Sequence, residues 1–151
     1  MLDIEDFKKS IGNKSRLLGI DPGKKRIGLA ISDEDKLVST PLKTILKKKF
    51  FDLIKEIKEI IEENNIKGIV VGNPLNMDGS KGSSSQSSND FARNLSNNIS
   101  IPVTMWDERL SSEGAFKLSA NTGVNTSKKI EKLDQNAASF ILQGVLDYLK
   151  R

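Results

Sequence analysis

Two short apolar segments of strand length, residues 17–20 and 68–72, constrain the fold of this chain more than any other feature. Between them, apolar residues recur at helical spacing from about residue 48 to residue 63. The second segment, Gly-Ile-Val-Val-Gly, is of the kind that helices cover on both faces. A strand, a helix and a second strand in this order predict a parallel pair joined by a crossover, and therefore an α/β fold.

Further strands and helices are predicted on either side of this unit. Residues 27–32 and 37–45 continue from the first apolar segment as two more strands, after a break at Pro22-Gly23. A final strand covers residues 101–106, and the last helix runs from about residue 130 to residue 149. The order β-β-β-α-β-α-β-α predicts a five-stranded mixed sheet flanked by helices, in which three antiparallel strands are followed by two parallel ones.

The N-terminus is predicted to form a short helix. Residues 2–11 place apolar side chains on one helical face, with Asp3 as the N-cap and Gly12 as the stop. We expect this helix to be an appendage that occupies residues 1–15, ahead of a single domain of residues 16–151.

Two polar stretches interrupt the apolar pattern later in the chain. Residues 73–89 are rich in Asn, Gly and Ser and are expected to begin as a loop, although apolar spacing from Phe91 onwards predicts that a helix follows. A short helix capped by Ser111 or Ser112 is expected next. Residues 119–129 are polar and expected to be mobile before the last helix.

The sequence contains neither cysteine nor histidine, which excludes disulfides, thiolate metal sites and every imidazole acid or base. Carboxylates, lysines, hydroxyls or a bound metal must perform any chemistry. No apolar run approaches the ~20 residues of a membrane span, and the first eleven residues lack the pattern of a secretion signal. A cytoplasmic protein without a membrane partner is the expectation.

Basic residues are clustered rather than evenly spread. The formal net charge is +4, and the clusters are Lys24-Lys25-Arg26, Lys47-Lys48-Lys49 and Lys128-Lys129 with Lys132. Such clusters suit a polyanionic partner, although a solvated surface is the plainer interpretation of each one. Trp106, the only tryptophan, is expected to pack in the core rather than to stack on a base.

Three carboxylates stand at prominent places on the predicted fold. Asp21 ends the first strand, Glu108 follows the last strand, and Asp134 lies near the start of the last helix. Functional groups of α/β sheets collect beyond the carboxyl ends of parallel strands, so the first two can share one rim. The alternatives are that Asp21 is a turn residue, that Glu108 is a surface carboxylate paired with Arg109, and that Asp134 is a helix cap.

Four segments together resemble one family, the YqgF or RuvX proteins, which are nucleases like the Holliday junction resolvases and are implicated in pre-16S rRNA maturation. The segments are LLGIDPGKKRIGLAISD at 17–33, GIVVGNPLNMDGSKG at 68–82, WDERLSS at 106–112 and LDQNAASFILQGVLDYL at 133–149. The resemblance implies an RNase H-like fold. It also places the family's acidic positions on Asp21, Glu108 and Asp134.

A metal-dependent nuclease follows from this resemblance. Two Mg²⁺ or Mn²⁺ ions ~4 Å apart can activate water and stabilise the departing oxygen without histidine, and carboxylates are the ligands they prefer. Asp21 is interpreted as the bridging ligand, with Glu108 and Asp134 each completing one metal. The residues expected to bind nucleic acid are Lys24, Lys25, Arg26, Arg109, Lys128 and Lys129. The residues expected to shape the rim of the cleft are Asn73, Asn76 and Asp78; Asn73 stands where related nucleases often carry a fourth carboxylate.

The function predicted from the sequence is hydrolysis of phosphodiester bonds in structured nucleic acid, as in processing the end of pre-16S rRNA. The alternatives are resolution of four-way DNA junctions and non-catalytic binding in ribosome assembly. A nucleotide phosphotransferase, suggested by Gly-Ile-Asp-x-Gly at residues 19–23, is disfavoured because such enzymes need two domains of this kind. The expected partner is an rRNA precursor or branched DNA, within a pre-ribosomal particle, for a monomer or weak homodimer. RNA or DNA as substrate, and endonuclease or exonuclease action, stay open.

Overall fold

The computed structural model describes residues 1–73, 83–108 and 127–150, with side-chain positions for all of these except 83–85 and 127–133. The helices in this part of the chain are α1 (Ile4–Ile11), α2 (Phe50–Glu63), α3 (Ser83–Asn98) and α4 (Ser127–Leu149). The strands are β1 (Arg16–Pro22), β2 (Arg26–Ser32), β3 (Ser39–Leu46), β4 (Ile66–Asn73) and β5 (Val103–Asp107). None of these helices has the length and apolar character that crossing a membrane requires.

The five strands form one mixed sheet in the order β3-β2-β1-β4-β5. β1, β2 and β3 are antiparallel neighbours, whereas β4 and β5 run parallel to β1. This arrangement confirms the predicted sheet of three antiparallel and two parallel strands. It also brings the carboxyl ends of β1, β4 and β5 to a single edge, which is where the predicted acidic residues lie.

Both faces of the sheet are covered by helices, so the molecule has two apolar layers. On one face α2 and α3 pack through residues such as Ile57 and Leu95, both 0% exposed. On the other face α1 and α4 pack through Phe7 and Leu142, which are equally buried. Trp106 belongs to this second layer, where its ring meets that of Tyr148 edge to face at 5.4 Å between centroids. The prediction that Trp106 packs in the core is therefore confirmed.

The N-terminal helix forms where the sequence predicts it. Asp3 caps α1 by accepting a hydrogen bond from the backbone N–H of Asp6 at 2.8 Å, and Gly12 ends the helix with a φ of +74° that favours glycine. Leu2 pairs with Thr104 at the outer edge of β5. The helix thus contributes to the second apolar layer, while its status as a separate unit of residues 1–15 stays a prediction.

Two helices begin earlier than their apolar residues indicate. Helix α3 begins at Ser83, within the stretch 73–89 that was expected to begin as a loop and before the apolar spacing that starts at Phe91. Serine is a weak rather than a prohibited helix residue, and packing overrides its preference because Ser88 is 2% exposed. Helix α4 begins at Ser127 instead of residue 130, which places Lys128 and Lys129 inside its first turn rather than in a mobile segment before it.

Candidate active site

Asp21 and Glu108 meet at the carboxyl edge of the sheet. Asp21 is the penultimate residue of β1, and Glu108 directly follows the last residue of β5. Their side chains are hydrogen-bonded to each other, although β4 lies between the two strands. The Asp21 carboxyl group therefore has Glu108 as a side-chain partner, and its role stays a prediction.

Gly72 makes this contact across β4 possible. Gly72 follows Val71 in β4, and Val71 pairs with Ile20 of β1. On the other side of β4, Gly72 pairs with Trp106 of β5. A Cβ atom at Gly72 would lie 2.9 Å from Oε1 of Glu108. The side chain of Glu108 therefore crosses β4 through the space that the glycine leaves open. Sequence reasoning did not single out Gly72, because its role depends on the order of the strands.

Asp134 approaches the same edge from helix α4. The helix lies against the sheet so closely that a Cβ at Gly28 of β2 would be 1.9 Å from the carbonyl oxygen of Asp134. At Gly19 of β1, a Cβ would be 2.8 Å from Cβ of Leu142. Asp134 lies seven residues beyond the start of α4 at Ser127, so it is not the helix cap.

Arg26 is the direct partner of Asp134. Its Nε donates to Oδ2 of Asp134 at 2.7 Å, and the two side chains are 33% and 27% exposed. Arg26 was predicted to bind nucleic acid and Asp134 to bind metal, and neither role is tested by this pairing. What the pairing shows is that the charge of Asp134 is balanced by a cation from the β1–β2 hairpin.

The pKa of Asp21 reflects its crowded surroundings. Burial raises the pKa of the Asp21 carboxyl group from 3.8 to about 6; the hydrogen bond with Glu108 opposes this shift, and the negative charge of Asp134 adds to it. Two adjacent carboxyl groups can form a hydrogen bond only if they share a proton. The site therefore concentrates negative charge, because Asp21, Glu108 and Asp134 lie close together.

This charge pattern fits a divalent cation. Carboxylate oxygens are the ligands that Mg²⁺ and Mn²⁺ prefer, and an ion held by Asp21 and Glu108 would balance their charge. Asp134 is turned towards Arg26, and within residues 1–73, 86–108 and 134–150 no three acidic side chains converge on one ion site. Asp21 and Glu108 are therefore the residues suited to hold the ion, and Asp134 lies beside them.

A cavity of about 220 Å³ opens on the α3 side of the carboxylate pair. The residues lining it include Asp21, Glu108, Lys24, Lys47, Ser88 and Phe91. Lys24 was predicted to bind nucleic acid, whereas Lys47 was singled out only as part of the basic cluster at residues 47–49, which suits a polyanionic partner. This clustering was the available signal, and the pairing of β2 with β3 is what brings Lys47 beside the hairpin that carries Lys24.

The other predicted site residues are only partly described. Lys24 and Lys25 are exposed in the hairpin turn, and Asn73 is partly buried at the end of β4, opposite Asp107 of β5. The remaining ones fall outside the described residues or have undescribed side chains. The residues outside are Asn76, Asp78 and Arg109, and those with undescribed side chains are Lys128 and Lys129. The short helix predicted after Ser111 or Ser112 also lies outside.

Comparisons with known proteins agree with this architecture. A family model described as "RuvX: Holliday junction resolvase" matches residues 15–148. A Pelagibacter ubique protein named "Putative pre-16S rRNA nuclease" is 56% identical over 149 residues and is matched over 99% of each chain. A Methylocella silvestris protein of the same name is 41% identical, with 100% of this chain and 94% of the relative covered.

Among solved structures, Thermus thermophilus RuvC in complex with a Holliday junction matches with a TM-score of 0.55. That match covers 89% of this chain and 94% of the other, at 11% identity, so it bears on the fold alone and confirms the RNase H-like arrangement. The sequence matches extend over nearly the whole length of both partners. The chain therefore belongs to the RuvX family of nucleases.

Proposed function

We propose that the carboxylate pair Asp21–Glu108, with Asp134 beside it, is the centre at which this nuclease hydrolyses phosphodiester bonds. The observation that carries the proposal is the meeting of the first two side chains across Gly72, at the edge of the sheet where parallel strands end. Such a meeting brings like charges together at a cost, and a purely structural site has no need of it.

The cofactor that suits this centre is Mg²⁺ or Mn²⁺. Asp21 and Glu108 would hold the ion, and Asp134 would join them when Arg26 releases it. A bound divalent ion supplies an activated water and stabilises the charge that develops on the departing oxygen. The chain's own carboxylates fix the position of the ion, and Arg26, Lys24 and Lys25 supply positive charge for the phosphates on either side of the bond that breaks.

The proposed substrate is structured RNA at the end of the 16S precursor. Support comes from the relatives that carry this name and match the chain over its whole length, and from the excess of basic residues in the hairpin beside Asp21. Binding to a pre-ribosomal particle would follow from that substrate. The family's described activity on Holliday junctions makes four-way DNA the second candidate.

One experiment tests the centre and separates the candidates. The wild-type protein is incubated with a labelled 16S precursor fragment and with a labelled four-way DNA junction, each with Mn²⁺ and with EDTA. We expect Mn²⁺-dependent cleavage of the RNA and its loss in the Asp21→Asn and Glu108→Gln variants. Cleavage of the junction alone would select the second candidate, and tight RNA binding without any cleavage would select a non-catalytic assembly factor.

A matched variant controls for the loss of one acidic group. Asp147→Asn removes a carboxylate from the exposed side of α4, where its contacts among the described residues are with Lys150 and Gln143. It is expected to cleave like the wild type. Equal loss of activity in Asp147→Asn and Asp21→Asn would show that charge, and not the site, is what matters.

A further inference from the structure

The cavity beside the carboxylate pair is lined by acidic and basic residues. Asp21 and Glu108 border it, and so do Lys24 and Lys47. Ser88 and Phe91 of α3 form part of the wall, and Ser88 is 2% exposed. Its volume of about 220 Å³ is below that of a site enclosing a whole small-molecule ligand. The cavity is suited to one group of a larger substrate.

Lys47 is held at this cavity by the backbone. Its N–H donates to the carbonyl oxygen of Lys25 at 2.9 Å, directly after the Arg26–Leu46 pair of β2 and β3. The end of β3 is thereby fixed to the hairpin turn that carries Lys24. Within the described residues neither Lys24 nor Lys47 forms an ion pair, so both ammonium groups are available to an anion.

The neighbouring lysine differs in this respect. Lys48 pairs with Glu56 of α2, and Lys43 reaches the same carboxylate at 3.4 Å. The charge of Lys48 is therefore largely balanced within the protein, although it stands next to Lys47 in the sequence. The two lysines form a matched pair for substitution, since each loses one formal charge and only one of them borders the cavity.

We propose that this cavity is a subsite for a backbone phosphate of the substrate strand that flanks the bond to be cut, held by Lys47 and Lys24. This inference rests on the proposed nuclease function and adds Lys47 to the residues that bind the substrate. Cations then lie on both sides of the carboxylate pair, with Arg26 on the α4 side and the two lysines on the α3 side. The substrate strand then crosses the edge of the sheet from the two lysines to Arg26.

Lys47→Gln and Lys48→Gln test the proposal side by side. Binding of a fluorescein-labelled RNA duplex with a single-stranded extension is measured by anisotropy in EDTA over a series of salt concentrations. Each lost phosphate contact lowers the slope of log affinity against log salt by about 0.7 for single strands and about 0.9 for a duplex. We expect Lys47→Gln to show this change and Lys48→Gln to show much less of it.

Cleavage of the same RNA with Mn²⁺ gives the second readout. Lys47→Gln should raise KM about threefold to tenfold and leave kcat within about twofold, because the contact is with a flanking phosphate and not with the phosphate that reacts. Lys47→Arg should restore binding, since the site requires charge. Lys47 is exposed and forms no ion pair among the described residues, so Lys47→Gln should unfold at the wild-type temperature. Lys48→Gln loses the exposed ion pair with Glu56, which should cost at most about 1 kcal/mol.

Equal salt slopes and equal KM values for Lys47→Gln and Lys48→Gln, with a wild type that binds and cleaves the RNA, would overturn the subsite alone. A wild type that shows no salt-dependent binding and no cleavage would overturn the proposed function and the subsite with it. A drop in kcat without a change in KM would assign Lys47 to the reacting centre and contradict its place at a flanking phosphate.

Discussion

Replacing Asp21 with asparagine should stabilise the metal-free protein while it abolishes cleavage. Burial raises the pKa of Asp21 from 3.8 to about 6, so keeping this carboxylate charged in the folded state costs about 3 kcal/mol at neutral pH. Asparagine has nearly the same shape, carries no charge and can donate a hydrogen bond to Glu108. The full gain is reduced because an amide is also costly to bury, and we expect about 1 to 3 kcal/mol.

The sign of the pH dependence follows from proton binding. The folded wild-type protein holds the Asp21 proton up to about pH 6, whereas the unfolded chain releases it near pH 3.8. The contribution of Asp21 to stability therefore falls as pH rises through this window, and is lowest above it. Relative to a carboxyl group with the same pKa in both states, Asp21 lowers the free energy of unfolding by about 1 kcal/mol at about pH 4.5 and by about 3 kcal/mol at about pH 7.5.

Urea unfolding in EDTA, followed by far-UV circular dichroism at these two pH values, measures the effect. The gain from Asp21→Asn should be larger by about 2 kcal/mol at the higher pH. Asp147→Asn is the control for the loss of one carboxyl group, because this side chain is 61% exposed and lies away from the Asp21–Glu108 pair. A gain from Asp21→Asn that is absent, or the same at both pH values, would refute the reasoning.

Three further substitutions test the geometry of the site. Gly72→Ala places a Cβ 2.6 Å from Cδ1 of Ile141 and 2.9 Å from Oε1 of Glu108; a shift of Glu108 by up to about 1 Å should lower kcat by up to about 100-fold, and the crowding of Ile141 should cost about 1 kcal/mol in urea unfolding. Gly28→Ala drives a Cβ to within 1.9 Å of the carbonyl oxygen of Asp134, so urea unfolding should show a loss of at least about 2 kcal/mol. Arg26→Ala removes the partner of Asp134; in EDTA it should destabilise the protein by about 1 kcal/mol, and added Mn²⁺ should raise its melting temperature more than that of the wild type.

The sheet could be predicted from the sequence because its strands are short apolar runs with clear breaks. The runs at residues 17–20 and 68–72 became β1 and β4, and the helical spacing between them became α2. Local pattern and burial agree in these elements, so each one is specified by its own residues. The position of Asp21 at the end of a central strand followed from the same reasoning.

The helix boundaries that were missed depend on contacts that the local sequence does not display. The serine-rich start of α3 has weak helix propensity and no apolar face, yet Ser88 is buried against the rest of the fold. The start of α4 at Ser127 precedes the first apolar residue of its pattern at Ile130. Periodicity of apolar residues cannot locate a helical turn that lacks them.

The close contacts of the site depend on glycines whose partners are distant in sequence. Gly28 meets the backbone of Asp134, and Gly72 leaves room for Glu108. Each glycine lies within a strand and looks locally unfavourable, because glycine weakens a strand interior. The packing of α4 on the sheet and the order of β1, β4 and β5 explain why these two positions require glycine.

The charge of Asp134 does not by itself identify this residue as a metal ligand. Its place on the buried face of α4, with Ala138 and Ile141, implies that the carboxylate needs a metal, a cation or a proton to balance it. The structure supplies a cation, Arg26, so the burial of Asp134 alone does not select a metal. The pair Asp21–Glu108 brings two acidic side chains into contact at the edge of the sheet, with the negative charge of Asp134 nearby, and a divalent ion would balance this charge. The metal proposal therefore rests on that pair. In this proposal Asp134 binds the metal only when Arg26 leaves it to bind a substrate phosphate.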